Sequence, residues 1–296
     1  MPLLSILPQL IINGLIAGSV YALAACGFAL VYYVVKFQYF SQGAILTVGA
    51  YMFFMFLNLM GLNYLLAAIL SILASIFAAL LTNWLVYRPL RKRKAGGVPL
   101  LVSSVVLLIF SSSLMQAFFG SGTKTLLLSA KNKIFILGFF TITSFQIAII
   151  ILAVILFFIL FYILKKTRLG KAMRALADNR DVAQIVGIDP EKIYNYTFII
   201  SAVLGGVSGI LIGLEQNLYP RMGVLIIIKG FISSVVGGLG SVPGSIVGGL
   251  FIGLIENLGI WFLPSSYKDV ISFSVMLLFL LFRPQGILGV KMRDDN

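Results

Sequence analysis

Three ionisable side chains of this 296-residue chain are candidates for a place at or near membrane depth: Glu215, Lys229 and Glu256. A charge at membrane depth is costly unless it is paired or wet, so each is a candidate for lining a pathway. Glu256 is the sharpest of the three, because it sits between Gly253 and Gly259 in an apolar stretch. Glu215 and Lys229 flank short segments, from which long side chains reach interfacial water. Ser41 and Gln42 add uncharged hydrogen-bonding groups at a break between two apolar runs, suited to a zwitterion in transit. Other chemistry is missing. There is no histidine, so the commonest general base and metal ligand is absent. The single cysteine, Cys26, cannot pair within the chain and reads as a small buried residue. No nucleophile with a neighbouring base and no metal cluster is visible, which argues against an enzyme and calls for no cofactor. Gly120-Ser121-Gly122-Thr123-Lys124-Thr125 has the wrong glycine spacing for a phosphate loop and follows an apolar helix instead of a strand, so it reads as an external loop.

The elements that must carry these residues are set by the solvent. Hydrophobic residues make up 60% of the chain and charged residues 10%, with a mean hydropathy of +1.07; a soluble domain carries about 25% charged residues. This is a chain for a lipid bilayer. Backbone polar groups in hydrocarbon must be satisfied within a segment, so the spans are helices. Runs long enough to cross, at about 20 residues each, lie near 8–35, 64–86, 98–119, 143–164 and 195–214. Shorter runs lie near 43–60, 224–239, 244–262 and 269–282. The fold class is therefore all-α, a polytopic transmembrane helical bundle of about eight or nine segments, read as one domain over 1–296. The first run lacks a basic leader and stays as a membrane helix.

A net charge of +13 raises nucleic acid as a partner, but the basic residues are not spread over a soluble face with interleaved aromatics. They cluster beside apolar runs: Arg88, Arg91, Lys92, Arg93 and Lys94; then Lys165, Lys166, Arg168, Lys171, Arg174 and Arg180; then Arg283, Lys291 and Arg293. Placing all three clusters in the cytoplasm follows the positive-inside rule. It puts the N-terminus outside and Lys36 inside, and leaves the glycine-rich region 224–262 as two short spans or a hairpin entering from one side. Lys124, Lys131 and Lys133 in one external loop run against the rule. Glycines repeat every four residues at Gly14 and Gly18, at Gly205, Gly209 and Gly213, and at Gly240, Gly244 and Gly248, which predicts close helix packing. The stretch Gly237-Gly238-Leu239-Gly240-Ser241-Val242-Pro243-Gly244 is either a tight turn between short spans or a helix break lining a pathway.

One polar segment, Gly170 to Pro190, stands apart. Ala172, Leu176, Ala183 and Val186 recur at helical spacing, Asn179 interrupts as a turn or cap, Gly187 suits a helix end, and Asp189-Pro190 suits the start of the next span. A solvating loop needs none of these features. A small-residue face with charges around it suits a helix that docks in a partner's groove.

Taken in order along nearly the whole chain, several motifs resemble the permease subunits of branched-chain amino-acid ABC importers, the LivH type. Asn13-Gly14-Leu15, Gly18-Ser19-Val20-Tyr21-Ala22-Leu23 and Gly27 resemble the first helix of that family; Phe40-Ser41-Gln42-Gly43 with Gly49-Ala50-Tyr51 resembles the second. Gly170 to Ile188 resembles the cytoplasmic coupling loop, and the glycine-rich stretch and Phe282-Arg283-Pro284-Gln285-Gly286 complete the series. The family often has Asn-Phe-Ala-His-Gly where this chain reads Tyr39-Phe40-Ser41-Gln42-Gly43, a departure that bears on substrate more than on fold. The resemblance implies a multi-pass protein of the inner or plasma membrane. Its implied partners are a second permease of a different sequence, two cytoplasmic ATPase subunits and an extracytoplasmic substrate-binding protein. A coupling loop at about 165–192 would engage an ATPase through Gly170, Arg174, Ala175, Asp178, Ala183 and Gly187. Ser41, Gln42 and Glu256 would line the translocation pathway. An importer for urea or short amides and an ion-coupled secondary transporter are the alternatives; the latter needs intramembrane carboxylates, of which Glu256 qualifies clearly.

Overall fold

The computed structural model describes residues 2–126, 134–137 and 140–289; Lys131, Lys133, Lys291 and Arg293 lie outside them. Each apolar run forms a helix. α1 (Pro2–Val35) is followed by α2 (Gln42–Phe54), which a π-helical turn extends through Leu59. α3 (Tyr64–Thr82) runs on through a second π-helical turn, Asn83–Tyr87, into α4 (Arg88–Lys92). α5 (Gly97–Phe119) leads to a small antiparallel hairpin, β1 (Ile134–Leu137) with β2 (Phe140–Thr143), and then to α6 (Ser144–Lys166). Two short helices, α7 (Arg168–Asp178) and α8 (Arg180–Ile185), precede α9 (Pro190–Gln216). α10 (Met222–Gly237), α11 (Val242–Gly259) and α12 (Lys268–Phe282) complete the helical bundle.

Eight of these continuous helices are long and apolar enough to cross a membrane; α10, with 16 residues, is shorter. At 1.5 Å per residue it spans about 24 Å, less than the roughly 30 Å of hydrocarbon. Its ends nevertheless lie at opposite ends of the bundle. Near its start, Leu218 pairs with Lys124 through two backbone hydrogen bonds of 2.8 Å, next to the end where Thr141 N–H donates to Gln9. Beyond its last turn, Leu239 to Pro243 share a cavity of about 480 Å³ with Lys36, Lys165 and Arg174. α11 then returns antiparallel to α1. Region 224–262 is thus a pair of antiparallel helices running between the two ends of the bundle, and the basic clusters from Lys36 to Arg180 gather at one end of the molecule. Ile287 and Leu288 donate to the carbonyls of Val236 and Gly237 at 2.9 Å, which brings the chain beyond α12 to that end as well.

The stretch between α10 and α11 is a tight turn. Gly238 and Gly240 have φ of +115° and +84°, which a Cβ disfavours, and the Ser241 hydroxyl accepts from Gly244 N–H to cap α11. Gly240, grouped with Gly244 and Gly248 by its spacing, is a turn residue; the other two pack helix backbones.

Burial sorts the helices. In the most apolar window, α1 is 89% buried and α9 78%, while α6 is 17% and the α12 segment 6%, so α1 and α9 form the centre and α6 and α12 face outward. Small residues make the centre possible. A Cβ at Gly18 would stand 2.9 Å from Leu250 Cα, and one at Gly249 would stand 2.5 Å from Ala22 Cα. Backbone cannot yield as a flexible side chain can, so Gly249→Leu is expected to force α1 and α11 apart. Overpacking costs about 1–3 kcal/mol at ordinary core sites, and more where backbones touch. The amount of monodisperse protein extracted from membranes should fall sharply, while Gly122→Leu, in open surroundings, should leave it unchanged.

Candidate functional site

The segment between α6 and α9 is built by local hydrogen bonds. Thr167 ends α6 and caps α7, its hydroxyl accepting from Gly170 N–H at 3.1 Å. The chain reverses so tightly that a Cβ at Gly170 would overlap the carbonyls of Ile163 and Leu164. Arg174 donates to the Leu164 carbonyl, satisfying an end of α6. Met173, Leu176 and Ala177 turn inward and are buried, while Lys171, Arg174 and Asp178 are exposed. Asn179, in an extended conformation, caps α8 by accepting from Asp181 N–H at 2.9 Å and Val182 N–H at 3.1 Å. Gly187, at φ +87°, closes α8, with Ile188 N–H donating to the Ala183 carbonyl at 3.0 Å. Asp189 caps α9 through Glu191 N–H at 3.0 Å.

This scaffold divides the six predicted docking residues. Gly170 and Arg174 hold the turn, Gly187 ends α8, and Asp178 is exposed on α7. Ala175 is half-buried against the core, and Ala183, 2% exposed, packs inside the chain's own core. The exposed apolar surface belongs to residues the docking set omits: Val182, Ile185 and Val186, of which Ile185 is 84% exposed. The face expected to join Leu176, Ala183 and Val186 is split, because extended Asn179 resets the helical phase. Val182, Ile185 and Val186 stand at i, i+3 and i+4, a spacing visible in the sequence.

Glu256 is fully buried and compensated. Lys229 Nζ donates to Glu256 Oε1 at 2.5 Å, Tyr21 OH donates to Glu256 Oε2 at 3.1 Å, and the Ser272 hydroxyl donates to Oε1. Lys229 also pairs with Asp269 at 2.8 Å and lies over the Tyr21 ring. Lys229 is therefore the hub of an ion network joining α1, α10, α11 and α12, its side chain 12% exposed. Asp269 escaped notice in the sequence because it stands at the start of a helix, where an acid is unremarkable. Glu215 lies at the surface and accepts from Gln146 at 3.2 Å.

Ser41 and Gln42 are completely buried. The Gln42 amide donates to the Ser201 carbonyl at 2.8 Å and accepts from the Ser201 hydroxyl at 2.6 Å. It fits only because Gly27 and Gly205 lack side chains; a Cβ at Gly205 would come within 2.5 Å of Gln42 Nε2. Ser41 donates to the Ser104 carbonyl at 2.9 Å and hydrogen-bonds the Tyr87 hydroxyl. Gln42 ties α2 to α9 and packs on Gly27 of α1, Ser41 ties the start of α2 to α5 and to Tyr87, and the structure does not bring either together with Glu256.

Residues 10–280 match the family described as the permease component of branched-chain amino acid transport systems. This chain belongs to that family. The permease is 33% identical to the high-affinity branched-chain amino acid transport system permease protein BraD of Pseudomonas aeruginosa, over 95% of each chain. It has the same identity and coverage with the permease protein LivH of Escherichia coli strain K12. Its fold is similar to a chain in the solved structure of PsaBC from Streptococcus pneumoniae in complex with Fab, with a TM-score of 0.53, 13% identity, and coverage of 92% of this permease and 91% of that chain. The likeness extends over the bundle as a whole, so the permease shares an architecture with that protein and not merely a run of apolar helices.

Proposed function

We propose that this permease is a membrane-spanning subunit of a binding-protein-dependent ABC importer that moves branched-chain or related amino acids into the cytoplasm. The observation that carries the mechanism is the rigidly capped α7–α8 segment with Val182, Ile185 and Val186 exposed at its tip. An apolar patch held by defined caps at the basic end of a membrane protein is a surface for another chain. Its partner is a cytoplasmic ATPase, and the segment 165–192 is the coupling element of a single transmembrane domain. Two such ATPases, a second permease of a different sequence and an extracytoplasmic binding protein complete the assembly in the inner or plasma membrane. Orientation follows from charge: with the basic end in the cytoplasm, α1 starts outside. Gly170, Arg174 and Gly187 give the element its shape, Ala175 and Ala183 anchor it on the bundle, and Asp178 borders the docking face. Ser41, Gln42 and Glu256 act on translocation by holding helices whose relative movement opens the path. Names of relatives supply the substrate class.

Reconstitution tests the reading. The purified permease in vesicles is expected to neither hydrolyse ATP nor take up leucine, and both activities should appear once the ATPases, second permease and binding protein are added. A single cysteine at position 178 should label from the cytoplasmic side. Leucine uptake by the lone chain under a proton or sodium gradient would overturn the importer assignment in favour of an ion-coupled carrier. Buried Glu256, already satisfied by three partners, gives that alternative little support.

A further inference from the structure

A cavity of about 330 Å³ opens at the basic end, between the end of α1, the α4–α5 connection, the start of α8 and the first turns of α9. Lys36, Arg91, Lys94 and Arg180 line it, and none of its lining residues is acidic. Four cations from three separate parts of the chain, the end of α1, the end of α4 and the start of α8, thus line one space with no acidic residue on its wall.

Arg91 is the decisive member. Its side chain is 5% exposed and lies over the Tyr194 ring. Nη2 donates to Glu191 at 3.0 Å and to Asn83 at 2.9 Å, and Nε donates to Glu191 at 3.4 Å. Nη1 is buried and has no partner. An unsatisfied donor on a buried charge forfeits its water without recompense, so one such group calls for an acceptor. Glu191 is already engaged, sharing its carboxylate with Arg88 as well. An anion held at the cavity would offer Nη1 an acceptor and partly offset the charge of the other three cations.

The geometry points to a phosphoryl-anion site formed by Lys36, Arg91, Lys94 and Arg180. A phosphoryl group offers several charged oxygens, which match one guanidinium edge and surrounding ammonium and guanidinium groups at once. Two sources supply it: the headgroup of an anionic phospholipid and free phosphate. The cavity lies where α5 enters the bundle, and α5 turns most of its surface outward, so a headgroup reaches it from the surrounding lipid. Bound there, the anion bridges Arg180 on α8 to the ends of α1 and α4, and so holds the coupling segment against the bundle. The site itself does not depend on the importer reading; naming the leaflet as cytoplasmic does.

The full-length chain, purified in detergent and delipidated, is titrated with phosphatidylglycerol, with phosphatidylcholine as a zwitterionic control, and retention is read by native mass spectrometry. Inorganic phosphate is titrated separately and followed by phosphorus NMR. Phosphatidylglycerol is expected to be retained at least tenfold more tightly than phosphatidylcholine, and Lys94→Gln with Arg180→Gln to abolish most of that preference. Both altered side chains are exposed, so thermal unfolding without ligand should match the parent chain. Arg91→Lys, which keeps the charge and loses Nη1, should weaken binding as well. Saturable phosphate binding sensitive to the same changes, with no lipid preference, supports the site and assigns its source to solution. Failure of both titrations, or equal binding by parent and variants, overturns the proposal. So does loss of ATPase capture in the double variant with lipid and phosphate binding unchanged, which would make the cavity a socket for a partner's acidic side chain.

Discussion

Lys229→Ala is expected to cost most of the folded protein. The change leaves Glu256, fully buried, with only the hydroxyls of Tyr21 and Ser272 to stabilise its charge. Removing one partner of a buried ion pair costs about 3–5 kcal/mol, a large share of a typical stability of about 5–15 kcal/mol. Protein recovered from membranes should drop severely and its thermal midpoint should fall. Glu256→Gln is expected to be milder, since Lys229 keeps its 2.8 Å pair with Asp269. Lys229→Met combined with Glu256→Met should regain much of the loss, because apolar replacement of a whole pair is often neutral or better. A Lys229→Ala chain as stable as its parent yet unable to support uptake would show that the pair serves translocation directly and not the joining of α1, α10, α11 and α12.

Ile185→Glu with Val186→Glu should uncouple transport while leaving the permease intact. Both side chains are largely exposed, and exposed substitutions usually stay within about 0.5 kcal/mol of the parent. Against an ATPase the result differs. Full burial of an aliphatic side chain is worth roughly 1.5–3 kcal/mol, and a carboxylate in its place brings a desolvation cost of its own. Capture of the ATPases by the permease should weaken by about 100-fold or more, equivalent to roughly 2.7 kcal/mol, and leucine-stimulated ATP turnover should disappear. Ala183→Arg gives a different failure. That methyl is packed in the permease's own core, so the arginine should reduce the yield of folded permease before any partner is added. Unaltered ATPase capture by the Ile185→Glu, Val186→Glu chain would remove the docking role from the tip of α8.

Much of the architecture can be read without coordinates because a bilayer leaves few choices. A run of apolar residues in hydrocarbon must be helical to satisfy its own backbone, so the positions of α1, α3, α5, α6 and α9 follow from composition alone. Caps are equally local: Asn179, Gly187 and Asp189-Pro190 act within a few residues of themselves, and the structure uses each as its type suggests. The basic clusters from Arg88 to Arg180 mark one end of the bundle in the same way. The hairpin of β1 and β2 has no such signature, since two four-residue strands sit in a connection that composition reads only as loop.

The site residues divide along the same line. That Gly170 to Pro190 forms a polar, capped, helical projection is a property of the segment itself. Which of its residues face outward depends on the phase set at Asn179 and on the surface beneath, so Ala183 turned in and Ile185 turned out only when α7 and α8 packed on the bundle. A lone Glu256 in an apolar run looks like a functional charge for the same reason: its neutralising Lys229 lies 27 residues away in sequence and its Tyr21 donor 235. Local chemistry settles where a helix begins and which solvent it meets. Compensation of a buried charge, or the closing of Gln42 by Ser201, requires groups from different helices within about 3 Å, and only tertiary packing brings them there.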